Sequence, residues 1–226
     1  MKRLFHSLIL LLAATCTFTA CSETDEEEDV QYSNWEARNT TYFQSILEKA
    51  KSAIAEAKAA HGDDWADYCD WRVYRTYAQD TTQTGEAADS IAVYISQRGT
   101  GSGYPLYTDS VRINYLVRLM PNELSTDEEA RTKGRIVGYT GVNRDSSFVF
   151  STDFCTPVTL ATSNNLEGVT TALMRMRIGD LWRVYIPQQL GNGSTATTNI
   201  PAYSTLIYAI QLKAYYRRGT VVPTWQ

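Results

Sequence analysis

The apolar positions of this chain change period along its length. Trp35, Ala37, Tyr42, Phe43, Ile46, Leu47, Ala50, Ile54 and Ala57 recur at roughly helical spacing, and Lys49, Lys51, Glu56 and Lys58 fill the other side. The spacing predicts an amphipathic helix over about 34–60, with Ser33 or Asn34 available to cap it and Gly62 behind His61 to end it. Its stripe needs a surface, and packing on its own domain is preferred to a helix-mediated dimer seam. From Trp71 the period falls to two. Trp71–Tyr77, Ile91–Ile95, Val111–Val117 and Arg135–Tyr139 alternate and are rich in β-branched and aromatic residues, as half-buried strands are. A last strand runs over Ser204–Leu212, after Ile200-Pro201. One helical pattern interrupts the strands, with Leu166, Val169, Leu173 and Met176 on one face. Strands around a single short helix imply an α+β domain whose sheet wraps that helix, with an N-terminal amphipathic helical extension.

The N-terminus reads as an address. Met1, Lys2 and Arg3 precede an apolar stretch, Leu4–Ala14, too short to span a membrane, so residues 1–20 form a signal peptide. Phe18-Thr19-Ala20-Cys21 resembles the lipobox of bacterial lipoproteins, which implies acylation of Cys21, palmitate included. The following run, Ser22-Glu23-Thr24-Asp25-Glu26-Glu27-Glu28-Asp29, repels itself, so 21–33 is expected to be a disordered tether. An acidic run beside the lipidated cysteine also resembles the surface-export signal of some Gram-negative lipoproteins. Ser22 in place of aspartate argues against inner-membrane retention. The expected location is the outer membrane, on its periplasmic or surface-exposed face.

Charge and composition narrow the chemistry. The formal net charge is −4, and loss of Lys2 and Arg3 with the signal takes it to −6. No basic patch for nucleic acid is implied. Of two histidines, His6 leaves with the signal and His61 sits at a helix end. A zinc site or a Ser-His-Asp triad would rest on that one residue, and helix capping is its better reading; neither metal nor cofactor is expected. Cys69 and Cys155 read as two buried thiols rather than a bridge. The sequons at Asn39 and Asn192 match glycosylation by pattern only. Gly99 and Gly101 lack the lysine and spacing of a phosphate cradle and mark a loop.

The order of elements in the final third carries a resemblance. Leu166-Glu167-Gly168-Val169, Met176-Arg177-Ile178-Gly179-Asp180-Leu181-Trp182-Arg183-Val184-Tyr185-Ile186-Pro187, Ile200-Pro201 and Thr205-Leu206-Ile207-Tyr208 resemble the C-terminal half of FKBP-type peptidyl-prolyl cis-trans isomerases. Tyr94-Ile95 with Gly99-Thr100-Gly101, and Val111–Leu119, resemble the family's upstream strands. The resemblance implies an FKBP-like antiparallel sheet over 90–216, with an insertion at about 120–147. Residues 34–62 are then the helix, 63–89 a strand and linker, and 217–226 a tail.

The resemblance also implies a site. Tyr115 stands at the family's strand tyrosine, Leu166 at the helix-start aliphatic whose N–H meets the ligand, Ile200 at the flap isoleucine and Tyr208 at the last-strand aromatic. Phe150 stands at the motif phenylalanine. Val169 replaces the tryptophan that floors the pocket, Asn192 replaces the loop tyrosine, and Ser151 replaces the motif aspartate. Tyr115, Leu166 and Tyr208 are the expected catalytic set; Phe150, Val169 and Ile200 join them in binding. The implied activity is isomerisation of X-Pro bonds in envelope or exported proteins. Two other readings stand beside it: a catalytically weak or inactive module that binds proline-containing peptides, and a surface glycan-binding lipoprotein.

Overall fold

The computed structural model describes residues 30–79, 86–140 and 156–225. The expectations for Cys21, Phe150, Ser151 and Cys155 lie outside those residues. The helical period becomes α1, Trp35–His61, which buries Trp35, Phe43, Leu47 and Ala50. Asn39 is buried with them, although a pattern of apolar residues passes over it. Asn34 precedes the helix but makes no side-chain cap. Its backbone is left-handed (φ 51°), whereas a capping residue needs extended geometry to turn its side chain onto the first free N–H groups. At the other end Gly62, at φ 57°, returns its N–H to the Lys58 carbonyl. His61 stacks on Tyr68 with ring centroids 3.8 Å apart. That contact links the end of α1 to the short helix α2, Trp65–Tyr68.

The alternating segments form β1 (Trp71–Arg75), β2 (Ser90–Gln97), β3 (Ser110–Leu119), β4 (Ile136–Tyr139), β5 (Val158–Ala161), β6 (Leu181–Ile186) and β7 (Leu206–Tyr216). They make one antiparallel sheet in the order β1-β2-β6-β7-β3-β4. β5 joins the first half of β3 while β4 joins the second half. The helical pattern of the final third gives α4, Glu167–Leu173, shorter than its apolar spacing. Beyond Leu173 the chain tightens, with Arg175 N–H bonded to Ala172 O and Met176 N–H to Leu173 O. Met176 is nonetheless fully buried. The insertion contributes one more helix, α3, Glu128–Lys133, capped by the Asp127 carboxylate.

Antiparallel pairing sorts side chains by face. Val93, Val184, Tyr208 and Val117 stand in one cross-strand row. Ala92, Tyr185 and Ile207, one residue along on each strand, point the other way and pack against Phe43, Leu47 and Ala50 of α1. The sheet is therefore covered on both faces, by α1 on one and α4 on the other. Burial of Phe43 and Leu47 contributes roughly 1.5–3 kcal/mol each, which is why the stripe of α1 closes on its own sheet. α4 sits close to β6: a Cβ on Gly168 would lie 2.5 Å from Ile186 Cγ2.

Two other local differences from the sequence reading have physical causes. β7 begins at Leu206 rather than at Ser204, because the Thr205 N–H is taken by Asn39 Oδ1 at 2.7 Å. The glycines at 99 and 101 serve packing: the Gly101 N–H bonds Ile178 O at 3.1 Å, and a Cβ on Gly99 would stand 2.3 Å from that same oxygen. The partner of this loop is the Gly179-Asp180 turn, in which Gly179 adopts φ 94°. Asp180 accepts the N–H groups of Gly99 and Arg177, each at 2.6 Å.

Candidate functional site

The site is best built from the β3–β7 pairing. Tyr115 lies opposite Ile210, and Val117 opposite Tyr208, so the two tyrosines are diagonal neighbours on the face that carries α4. Their ring centroids are 6.1 Å apart with planes tilted by 44°. Both rings are half-buried. Burial, and then the neighbouring Tyr115, push the Tyr208 phenol up to about 12. Tyr208 therefore stays uncharged across the physiological range and can donate a hydrogen bond from an otherwise apolar wall.

β4 closes the flank of this pair. Gly138 lies opposite Val117, and a Cβ added there would come within 3.8 Å of the Tyr115 ring. The Tyr115 N–H is bonded to Thr140 Oγ1 at 2.8 Å, just past the end of β4. The insertion thus supplies part of the site's frame. Arg135–Tyr139 alternates in the sequence, so a strand is readable there, but nothing in the alternation assigns it to the edge beside Tyr115.

α4 brings Leu166 and Val169. Leu166 is half-buried at the helix start, with extended backbone angles (φ −56°, ψ 145°). Its N–H makes no hydrogen bond among the described residues. Val169 is 3% exposed, so it lies behind the accessible wall. Helix α4 is held in place by polar ties: Thr170 Oγ1 donates to Thr162 O at 2.9 Å, the Tyr77 N–H donates to Thr171 Oγ1 at 3.3 Å, and Thr76 Oγ1 donates to the Glu167 carboxylate. Trp182 shares the face, on β6 opposite Ile210. Its indole stacks on Tyr74 at 5.9 Å, so Ile210 lies between it and Tyr115.

Ile200 and Asn192 lie on the loop between Pro187 and β7, and both are partly exposed. Pro187 ends β6 and leads into a single turn, Gln188–Leu190. The loop is closed on itself by Tyr203 N–H to Gly193 O at 2.7 Å and Thr197 N–H to Ile200 O at 2.8 Å. Tyr115 and Tyr208 are thus in contact, Leu166 and Val169 enter on α4, and Ile200 enters on the loop. Asn39 was the residue with no sequence signal beyond its place in the apolar stripe. It is fully buried, which removes its sequon from reach of a glycan.

A sequence model described as FKBP-type peptidyl-prolyl cis-trans isomerase matches residues 105–213, the span from before β3 to within β7. Over that span the chain is similar to the FKBP-type family. The chain is also similar in sequence to a macrophage infectivity potentiator of Trypanosoma cruzi, 40% identical over 78 residues. That match spans 34% of this chain and 40% of the relative. Similar solved structures include a peptidyl-prolyl cis-trans isomerase of Pseudomonas syringae, with 22% identity and a TM-score of 0.42, covering 77% of this chain and 96% of that one. FkpA of Escherichia coli is similar at 17% identity with a TM-score of 0.45, covering 96% of this chain and 82% of that one. No group of three or more metal-ligating side chains is placed to hold an ion among the described residues. No helix among them is long and apolar enough to cross a membrane.

Proposed function

We propose that the protein is a peptidyl-prolyl cis-trans isomerase or folding helper, held by lipid on Cys21 at the outer membrane of a Gram-negative cell, acting on X-Pro bonds of envelope or exported proteins. The observation that carries the reading is the Tyr115–Tyr208 pair, in ring contact on the α4 face of an FKBP-type domain. Rotation about an X-Pro bond meets a barrier of about 18–20 kcal/mol because amide resonance must be broken. It needs no nucleophile and no proton transfer. An aromatic wall that excludes water disfavours the polar planar amide, and fixed donors hold the carbonyl as the bond twists. In this chain the donors would be the Leu166 N–H and an uncharged phenol, with Ile200 covering the proline ring. Phe150, at the family's motif position, would complete the wall.

A second reading, a module that binds proline-containing segments without turning them over, draws on particular residues. Val169 is buried where the family has an indole, and Asn192 stands at the loop tyrosine. Exchange of a proline peptide followed by NMR separates the two. The isomerase reading expects catalysed exchange, reduced about tenfold or more in Tyr115→Ala and in Tyr208→Ala. Exchange at the uncatalysed rate with the wild-type protein rules it out, and peptide-induced shifts in the same spectra would then support the binding module. The anchor is tested by labelling cells with a fatty-acid analogue: label should vanish in Cys21→Ala, and persistence would sink it. Fractionation of the same cells reads the membrane.

A further inference from the structure

Two elements, α1 and the insertion, take hold of the same loop. From α1, the Trp35 Nε1–H donates to Ser204 Oγ at 2.9 Å, and that hydroxyl donates onward to Pro201 O at 2.6 Å. Asn39 Oδ1 accepts the Thr205 N–H at 2.7 Å, and the Asn39 carbonyl accepts the Thr205 hydroxyl at 3.2 Å. The Asn39 amide is itself fixed by donating to Trp35 O at 2.7 Å. Asn39, Ser204 and Thr205 are at most 1% exposed and Trp35 is 6% exposed. From the insertion, Arg135 Nη2 donates to Asn199 O at 2.8 Å. These ties flank Ile200: one falls on the residue before it, one reaches the carbonyl of the residue after it, and one fixes the start of the strand that carries Tyr208.

We propose that Trp35 and Asn39 of α1, with Arg135 as an outer tie, are positioning residues for the groove. They set the resting place of the loop that bears Ile200, so that the face opposite the site governs how readily a proline segment is captured. A polar group inside an apolar helix stripe is unfavourable unless satisfied, and Asn39 is satisfied by Thr205 on the loop side and by the Trp35 carbonyl within the helix. The hydrophobic stripe fixes where α1 lies on the sheet. The polar pair fixes the loop to α1.

The inference rests on the groove being the proline site for its kinetic consequence, but loop order is read independently of turnover. The variants are Trp35→Phe, which keeps the ring and removes the N–H, Ser204→Ala, Arg135→Ala, and Leu47→Ala as a control that loosens α1 away from the loop. Hydrogen–deuterium exchange of the full chain over residues 191–203 should accelerate about five- to tenfold in Trp35→Phe and Ser204→Ala, the factor that follows from loss of one buried hydrogen bond. Arg135→Ala, being exposed, should give a smaller rise. Leu47→Ala should lower thermal stability more than any of them and leave exchange in 191–203 unchanged. In the isomerase assay Trp35→Phe should raise KM by a similar factor with kcat held within about twofold, the mark of lost binding rather than lost chemistry. Unchanged loop exchange in Trp35→Phe, or an equal change in Leu47→Ala, overturns the proposal. Wild-type turnover at background with the exchange pattern as expected would defeat the isomerase reading and leave the positioning inference standing.

Discussion

Gly99→Ala tests the turn that connects α4 to β6, and so the frame of the whole groove. A methyl on Gly99 would be 2.3 Å from Ile178 O, 2.5 Å from Asp180 N and 2.7 Å from Gly179 C, all backbone atoms. Backbone in a hydrogen-bonded, half-buried turn cannot step aside as the end of a long side chain can. Overpacking of this sort costs about 1–3 kcal/mol. Retreat of the loop would also break the 2.6 Å bond from the Gly99 N–H to Asp180 Oδ1, and a bond to a charged acceptor is worth about 1.5–3 kcal/mol. The alanine restricts the unfolded chain and returns roughly 0.4–1 kcal/mol. The expected net loss is about 2–5 kcal/mol. For a domain of this size each kcal/mol moves the midpoint by about 2–4 °C, so thermal unfolding followed by circular dichroism should fall by roughly 5–20 °C. Gly193→Ala is the comparison. Gly193 has φ 57° but nothing within 4 Å of a built Cβ, so it carries only the backbone cost of about 1–2 kcal/mol. If Gly99→Ala is no worse than Gly193→Ala, the close approach of the two turns is not what requires glycine at 99.

Two further outcomes follow from burial. Tyr208 is pushed up to about 12 by burial and then by Tyr115; its folded form keeps a proton that the unfolded chain releases near pH 10. That stability is fully present below about pH 10 and is lost as pH rises from about 10 to about 12, by roughly 1–3 kcal/mol. Tyr42 is raised further, by burial first and then by Tyr185, and acts in the same direction. Urea midpoints measured between pH 8 and 11.5 should therefore fall less steeply in Tyr208→Phe, and an unchanged slope would show that the phenol is not desolvated. Phe43→Ala at the α1–sheet contact should cost about 3–5 kcal/mol with a wild-type midpoint that does not depend on protein concentration. A concentration-dependent midpoint would mean that the stripe of α1 meets a second chain.

Much of the site's framework was legible because it depends on local pattern. The alternation of Val111–Val117 and of Ser204–Leu212 was enough to put Tyr115 and Tyr208 on strands, and the family resemblance put Leu166 at a helix start. The pairing register that makes the two tyrosines neighbours was not in either segment alone, since register depends on which residues the two strands place opposite one another. Asn39 was illegible for a different reason. A buried asparagine in an apolar stripe has the same sequence appearance as a surface one, and its partners at Thr205 and the Trp35 carbonyl make burial favourable.

The sequence by itself determined the periods: a long amphipathic helix, half-buried strands, a short helix followed by the Gly179-Asp180 turn, and a strand closed by Pro187. These are set within a few residues by side-chain spacing and by backbone freedom at glycine and proline. Tertiary structure decided which surface each apolar face would find. It placed α1 on the sheet face opposite α4, set β4 of the insertion beside Tyr115, and brought Trp35, Asn39 and Arg135 to the loop of Ile200. Those choices join residues far apart in the chain, where free energy depends on the fit of whole faces and on satisfaction of buried polar groups. No local pattern carries that information.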